Sequence, residues 1–218
     1  MPYRLDGLLS WCLRLTWLYI AVTTAGLIAT WFELDLLKRV ASGELSGLDA
    51  QQAAEQSDNI VAIFGLAEVA VSIIAFIVNG VWIYRASSNA RAIDPWEGRI
   101  RPGWAIGWFF IPIANLWMPY RAMKQTWRTA HGLPHDSDTP LPGWFLFWWL
   151  LWLFSDITGN ISIRMTTSAE VIQTYILADY FTLASSLTAL PCAWLFMRLM
   201  REASAGLDDR RSLSQVFA

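Results

Sequence analysis

A chain of 218 residues that is 55% hydrophobic and 16% charged is no soluble globular domain, in which about a quarter of the residues carry charge. Its net charge of −2 excludes nucleic acid as a partner, and two cysteines are too few for a disulfide framework. Fourteen tryptophans point instead to an apolar body that meets a wet boundary, as at the two faces of a bilayer.

In chain order, residues 1–14 are a short amphipathic lead-in with Arg4 and Arg14. Residues 15–32 are a continuous apolar run and the first expected span, because about 20 residues at 1.5 Å each cross a ~30 Å hydrocarbon core. Arg14 at its start can snorkel to the headgroups. No small-x-small cleavage site follows, so the run reads as a retained span and not as a secretory signal. Residues 33–59 are expected to form an acidic loop, with Glu33, Asp35, Glu44, Asp49, Glu55 and Asp58 against Lys38 and Arg39. Residues 60–84 are the second span. Glu68 and Asn79 interrupt its apolar run, and Trp82 and Tyr84 mark its boundary. A polar, basic stretch follows, in which the Asp94-Pro95 step ends any helix.

Residues 102–130 are the unusual element. They are rich in tryptophan and broken by Pro112 and Pro119, each of which removes a backbone donor, and they carry Asn115 in the middle. Non-helical backbone at membrane depth survives only against protein or water. The expectation is a re-entrant or interfacial segment. Its last part, with Trp117, Tyr120, Met123 and Trp127 at three- and four-residue steps, reads as a helix lying on the membrane surface. Residues 143–159 and 172–200 are the third and fourth spans, and residues 201–218 a charged tail. Pro102-Gly103-Trp104 with Trp108 recurs as Pro142-Gly143-Trp144 with Trp148, two helices entering an interface alike with proline at their first turn.

Charge sets the threading. With four spans, 13 of the 16 Lys and Arg residues fall on one side, and only Lys38, Arg39 and Arg164 on the other. With residues 102–120 as a fifth span the split is 7 against 9. The bias of Lys and Arg toward the cytoplasm favours four spans. It predicts both termini in the cytoplasm and the acidic loop outside.

The run Arg101-Pro102-Gly103-Trp104, Gly107-Trp108-Phe109, Pro112, Ala114-Asn115-Leu116, Pro119-Tyr120 and Met123 resembles a bacterial membrane family, domain of unknown function 4328. Trp82, Arg85, Asn89 and Ala90 resemble the lead-in to that segment. The resemblance extends from about Ala62 to the fourth span. It implies a multi-pass protein of the bacterial inner membrane and carries no known activity.

Polar residues within or beside the spans are the functional candidates, because charge inside a bilayer costs several kcal/mol. Glu68 falls about 12 Å below the outer boundary, from eight residues of rise. Asp156 and Asp179 fall near the outer ends of their helices, and Asn115 in the central segment. Together these four form a candidate intramembrane polar site for a cation or proton, or they serve as hydrogen-bonded packing. Pro102, Gly103, Trp104, Trp108, Pro112, Asn115, Pro119 and Tyr120 make the re-entrant or interfacial motif. Arg121, Lys124 and Arg128 are candidate contacts for anionic lipid.

His131 and His135 are four apart, but Pro134 between them argues against the helix that would let them share a metal. No catalytic residue, metal site or cofactor is read from the sequence. Phosphate-loop, nucleophile-elbow and HExxH patterns are absent. The reading is an all-α integral membrane protein of four transmembrane helices. It is a non-enzymatic module for lipid, a membrane-protein partner or a second copy. A small transporter or channel using the intramembrane carboxylates is the alternative, and a membrane enzyme comes third.

Overall fold

The computed structural model describes residues 3–134, 136 and 138–216, with side chains as far as Arg210. The described residues form six α-helices and two 3-10 turns, and no strand. The helices are α1 (Asp6–Ala41), α2 (Gly47–Ile93), α3 (Pro102–Gly107), α4 (Met118–Ala130), α5 (Gly143–Thr167) and α6 (Ile172–Val216). The 3-10 turns, Trp108–Phe110 and Ala114–Leu116, lie between α3 and α4. Four helices, α1, α2, α5 and α6, are long and apolar enough to cross a membrane. The protein is an all-α membrane protein.

Exposure gives the same answer as hydropathy. On α2 the side chains of Ile63, Leu66 and Ile77 are 65%, 73% and 59% exposed. A helix apolar all round and this bare is untenable in water and is what a lipid environment requires.

The long helices run well past their apolar stretches. The expected acidic loop over residues 33–59 is largely helical: Glu33 to Ala41 continues α1, and α2 begins at Gly47. Only residues 42–46 turn the chain. Gly43 and Gly47 take φ of 79° and 69°, the left-handed region that glycine enters without a Cβ penalty. An Arg39–Glu44 ion pair of 3.2 Å crosses the turn. The acids of this stretch do not break helix, because Asp49 sits in the first turn of α2, where the helix dipole favours it. A helix already nucleated by a span propagates cheaply through Ala, Gln and Glu. For the same reason the charged tail continues α6 to Val216.

The chain divides into two compact units. The first comprises Met1–Thr16, Ile74–Leu146 and Trp194–Ala218; the second comprises Trp17–Ile73 and Phe147–Ala193. The first unit has a core of Leu5, Cys12, Trp82, Met123, Phe145, Met197, Leu199, Met200 and Leu207, all within a few per cent of full burial. Several of its buried polar groups are paired between distant parts of the chain. The Trp82 indole N–H donates to Ser204 Oγ at 3.0 Å, and Ser87 meets Thr126 at 3.3 Å. Asn89 and the Tyr3 backbone exchange two bonds of 2.6 and 2.7 Å. Trp82, Asn89 and Ala90, singled out by sequence, are thus packing residues. Gly206 on α6 passes directly over the end of α4. A Cβ there would lie 2.8 Å from the Ala130 carbonyl carbon, and closer still to its oxygen.

In the second unit α5 and α6 are clasped by hydroxyls. Ser155 Oγ donates to the Ser185 carbonyl at 3.1 Å, and Ser185 Oγ to the Ser155 carbonyl at 2.9 Å. Ser162 Oγ donates to the Ala178 carbonyl at 3.0 Å and lies 2.6 Å from Thr182 Oγ1. Gly159 lets the helices close to that distance, since a Cβ would come within 3.1 Å of Ser185 Oγ.

Gly206→Val forces α6 off the backbone of α4, and overpacking of this kind costs about 1–3 kcal/mol. The expected outcome is a melting temperature in detergent several degrees below wild type, with helical content by circular dichroism unchanged. An unaltered melting temperature would show that the close approach contributes nothing.

Candidate anion site between loop 94–101 and the following helix

The segment following α2 is folded by a few local constraints. The Asp94 amide closes the last turn of α2 on the Ala90 carbonyl at 3.0 Å, and Pro95 prevents continuation. The Trp96 ring then folds back over Gly98, where any Cβ would strike it. Arg99 turns inward and is 6% exposed. Its guanidinium donates to the Asp94 carbonyl, to the Asp94 carboxylate at 3.3 Å, to the Gln125 carbonyl at 3.0 Å and to Thr129 Oγ1. The Ile100 amide donates to Gln125 Oε1 at 3.0 Å. Loop 94–101 is therefore stapled across α4. Burial pulls the Arg99 pKa down and nearby Arg91 adds to that, while Asp94 opposes both.

Residues 102–120 do not form one helix. Pro102 starts α3, with the Arg101 carbonyl accepting from the Ala105 amide at 3.1 Å. Trp104 and Trp108 meet with ring centres 4.7 Å apart. Gly103 is exposed, Pro112 lies between the two 3-10 turns, and Pro119 starts α4. Asn115 caps nothing: its Oδ1, like Trp108 Nε1, is buried without a hydrogen-bond partner among the described residues. Trp104, Phe110, Ile113, Leu116 and Trp117 face outward. Tyr120 packs edge-on against Phe145 at 5.5 Å.

Helix α4 corrects one expectation. Read as a surface helix, it instead buries Ala122, Met123, Thr126, Trp127 and Ala130 in the first unit. Its amphipathic pattern is met by protein. Arg121, Lys124 and Arg128 share the opposite face, but their roles differ. Arg128 is 6% exposed and donates to the Thr139 and Pro134 carbonyls at 2.9 Å each, so it holds the following loop and is no free lipid contact. Arg121 is exposed and Lys124 half-buried, and neither side chain has an ion pair or hydrogen bond among the described residues.

A cavity of about 250 Å³ lies between loop 94–101 and this face, lined by Asp94, Trp96, Arg99, Tyr120, Arg121, Lys124, Gln125, Arg128, Thr129 and Leu133. Four cations and one carboxylate make the lining basic. An apolar groove bounded by Phe76, Ile77, Gly80, Val81, Tyr84 and Ile106 lies in the same unit. Arg198 and His131 of the same unit are engaged elsewhere. Arg198 donates to Glu202 at 2.7 Å and lies 4.5 Å over the Trp144 ring. His131 stacks on Trp127 at 3.7 Å, with Nε2 3.9 Å from Glu202.

The four candidate intramembrane polar residues fall in both units. Asn115 belongs to the first unit and the three acids to the second. Glu68 accepts a 2.8 Å bond from Thr23, which is fully buried, and its other oxygen stands 3.7 Å from the Cβ position of Gly26. Asp179 lies within electrostatic reach of Asp58, and Glu33 within reach of both. Sequence analysis had assigned Glu33 and Asp58 to a loop. Asp156 sits on the exposed face of α5, where its backbone carbonyl accepts from Asn160 at 2.8 Å. Helical phase separates these groups: Asp156 points away from the Ser155 and Ser162 face that meets α6. No group of three His, Cys, Asp or Glu residues suited to a metal ion occurs among the described residues, and His135 lies outside them.

Arg99, Trp96 and Gln125 were missed by sequence analysis, which saw Arg99 as one of several basic loop residues. The only signal was its position five residues after the Asp94-Pro95 helix stop.

No curated protein and no solved structure matches this chain. The family profile described as Domain of unknown function (DUF4328) matches residues 46–205. This span contains every residue that lines the cavity and the whole Trp/Pro-rich segment, and on that match the chain belongs to the DUF4328 family.

Proposed function

We propose that this protein is a non-enzymatic module of the bacterial inner membrane that binds anionic lipid through its α2–α5 connection. Both termini and that connection are assigned to the cytoplasm, and α3 with the two 3-10 turns to a re-entrant or interfacial position. One observation carries the reading: Arg121 and Lys124, without partners among the described residues, stand at a basic cavity beside interfacial aromatics. Unspent cations at a membrane face attract anionic headgroups, at about 1 kcal/mol each. The outward side chains of Trp104, Phe110, Ile113 and Trp117 supply the apolar contact such an element needs.

The Thr23–Glu68 pair favours a second reading, a small transporter or channel. It is a carboxylate held by a buried hydroxyl within apolar helices, the kind of group that lines ion paths.

Sidedness has a direct check. Cys12 and Cys192 are buried, so single cysteines report cleanly. Glu97→Cys is expected to react with a membrane-impermeant maleimide only in opened cells, and Ser46→Cys in intact ones; the reverse pattern sinks the assignment.

Lipid binding is read by native mass spectrometry of protein released in mild detergent. Wild type is expected to retain anionic lipid in preference to phosphatidylcholine. The double variant Arg121→Gln/Lys124→Gln loses about 2 kcal/mol, roughly thirty-fold in affinity. Equal retention by both proteins removes the basis for the lipid reading.

For the second reading, proteoliposomes holding a pH-sensitive dye are expected to acidify faster than empty liposomes, and Glu68→Gln to abolish the difference. No difference between wild-type and empty liposomes rejects transport of protons.

A further inference from the structure

We infer that the cavity between loop 94–101 and α4 is a binding site for a phosphate group carrying two negative charges, a phosphomonoester headgroup or free phosphate. The inference rests on the anionic-lipid reading and narrows it from an attracted surface to a defined ligand chemistry.

A flat basic face attracts any anion. This one is walled. Arg99 pins the loop over α4 through bonds to Asp94, Gln125 and Thr129, which fixes the far wall. About 250 Å³ remains open, more than a phosphate needs and enough for the first atoms of its substituent.

The donors around the space suit a tetrahedral anion better than a carboxylate. Arg121 offers a planar fork for two oxygens, and Lys124, one helical turn away, a point charge for a third. Gln125 spends its Oε1 on the Ile100 amide, which leaves its amide N–H groups as neutral donors. A carboxylate can accept from all three, but its two oxygens lie in one plane with a single charge between them, a poorer match to donors that approach from different directions.

Charge balance argues for the dianion. Asp94 neutralises Arg99 through their 3.3 Å pair. Arg121 and Lys124 remain as two like charges one helical turn apart, an arrangement that opposes helix stability when uncompensated. A dianion relieves more of that repulsion than a monoanionic phosphodiester. The wall of Trp96 and Tyr120 limits water on one side, which strengthens each of these interactions.

The test uses the full chain in phosphatidylcholine nanodiscs, with three probes titrated by calorimetry: short-chain phosphatidic acid (a monoester), short-chain phosphatidylglycerol (a diester) and inorganic phosphate. Phosphatidic acid is expected to bind about tenfold tighter than phosphatidylglycerol, the size of one extra moderate charge interaction. Arg121→Gln/Lys124→Gln is expected to remove that preference with the melting temperature unchanged. Arg121→Lys should keep part of the affinity while losing the two-oxygen grip.

Inorganic phosphate binding as tightly as phosphatidic acid supports the phosphate site, names free phosphate as the source and rejects the lipid reading. Phosphatidic acid and phosphatidylglycerol binding equally, both lost in the double variant, overturns the phosphate assignment while the lipid reading stands. Binding of phosphatidic acid that the double variant leaves unchanged overturns the site. No binding by any probe overturns both.

Discussion

Burying the Arg99 guanidinium takes a cation out of water at a cost of several kcal/mol, and the segment after α2 is arranged to offset it. One carboxylate, two carbonyls and one hydroxyl surround it. These acceptors come from two elements, the loop that carries Arg99 and α4. The loop cannot lift without leaving a buried cation unpaired, so its conformation is fixed by an electrostatic need rather than by apolar contact. Trp96 over Gly98 and Ile100 on Gln125 are consequences of that fixed path. Arg121 and Lys124 then stand beside a wall that does not move to meet them. A cavity held open in this way is preorganised, and binding there avoids the ordering cost that a mobile loop imposes.

The second unit meets the same constraint with neutral groups. Its helices carry Thr23, Ser155, Ser162, Thr182 and Ser185 at contact positions, and each hydroxyl is hydrogen-bonded. Single interhelical bonds of this kind average about 0.6 kcal/mol, so none of them decides stability. What they do is forbid sliding. Ser155 and Ser185 exchange donors with each other's carbonyls, and a shift of one residue breaks both bonds at once. Glu68 is the exception in this set, a carboxylate that accepts from Thr23.

How much was legible in the sequence follows from which forces leave a periodic trace. Hydropathy and the Lys/Arg bias located four helices, because lipid imposes an apolar run of fixed length. The break at residues 102–120 was legible because Pro112 and Pro119 lack donors. Helix ends were not, since Glu33–Ala41 and the residues after Met200 are polar and a helix continues through polar residues at little cost. The amphipathic pattern of α4 was read correctly as a pattern and assigned to the wrong medium. Periodicity says that Met123 and Trp127 face something apolar; it does not distinguish lipid from Phe145, whose ring centre lies 6.0 Å from that of Trp127. The basic face opposite was legible as well, but Arg128 sits there to hold Thr139 and Pro134, and hydrogen bonds to distant carbonyls leave no mark in spacing.

These differences bear on how the competing readings are weighed. A path for ions needs polar groups in sequence along one line. Here Glu68 has a threonine beside it, Asp179 has other acids, and Asp156 faces outward. The cations of the first unit behave in the opposite manner: residues from positions 99 to 128 converge on one cavity, and those that packing does not need are the ones left at its edge. The DUF4328 match includes all of them, whereas Thr23, the partner of Glu68, lies before its first residue. Convergent unspent charge is a costly arrangement for a protein that has no anion to receive, and that asymmetry is why the basic cavity, rather than the acids of the apolar helices, carries the functional reading.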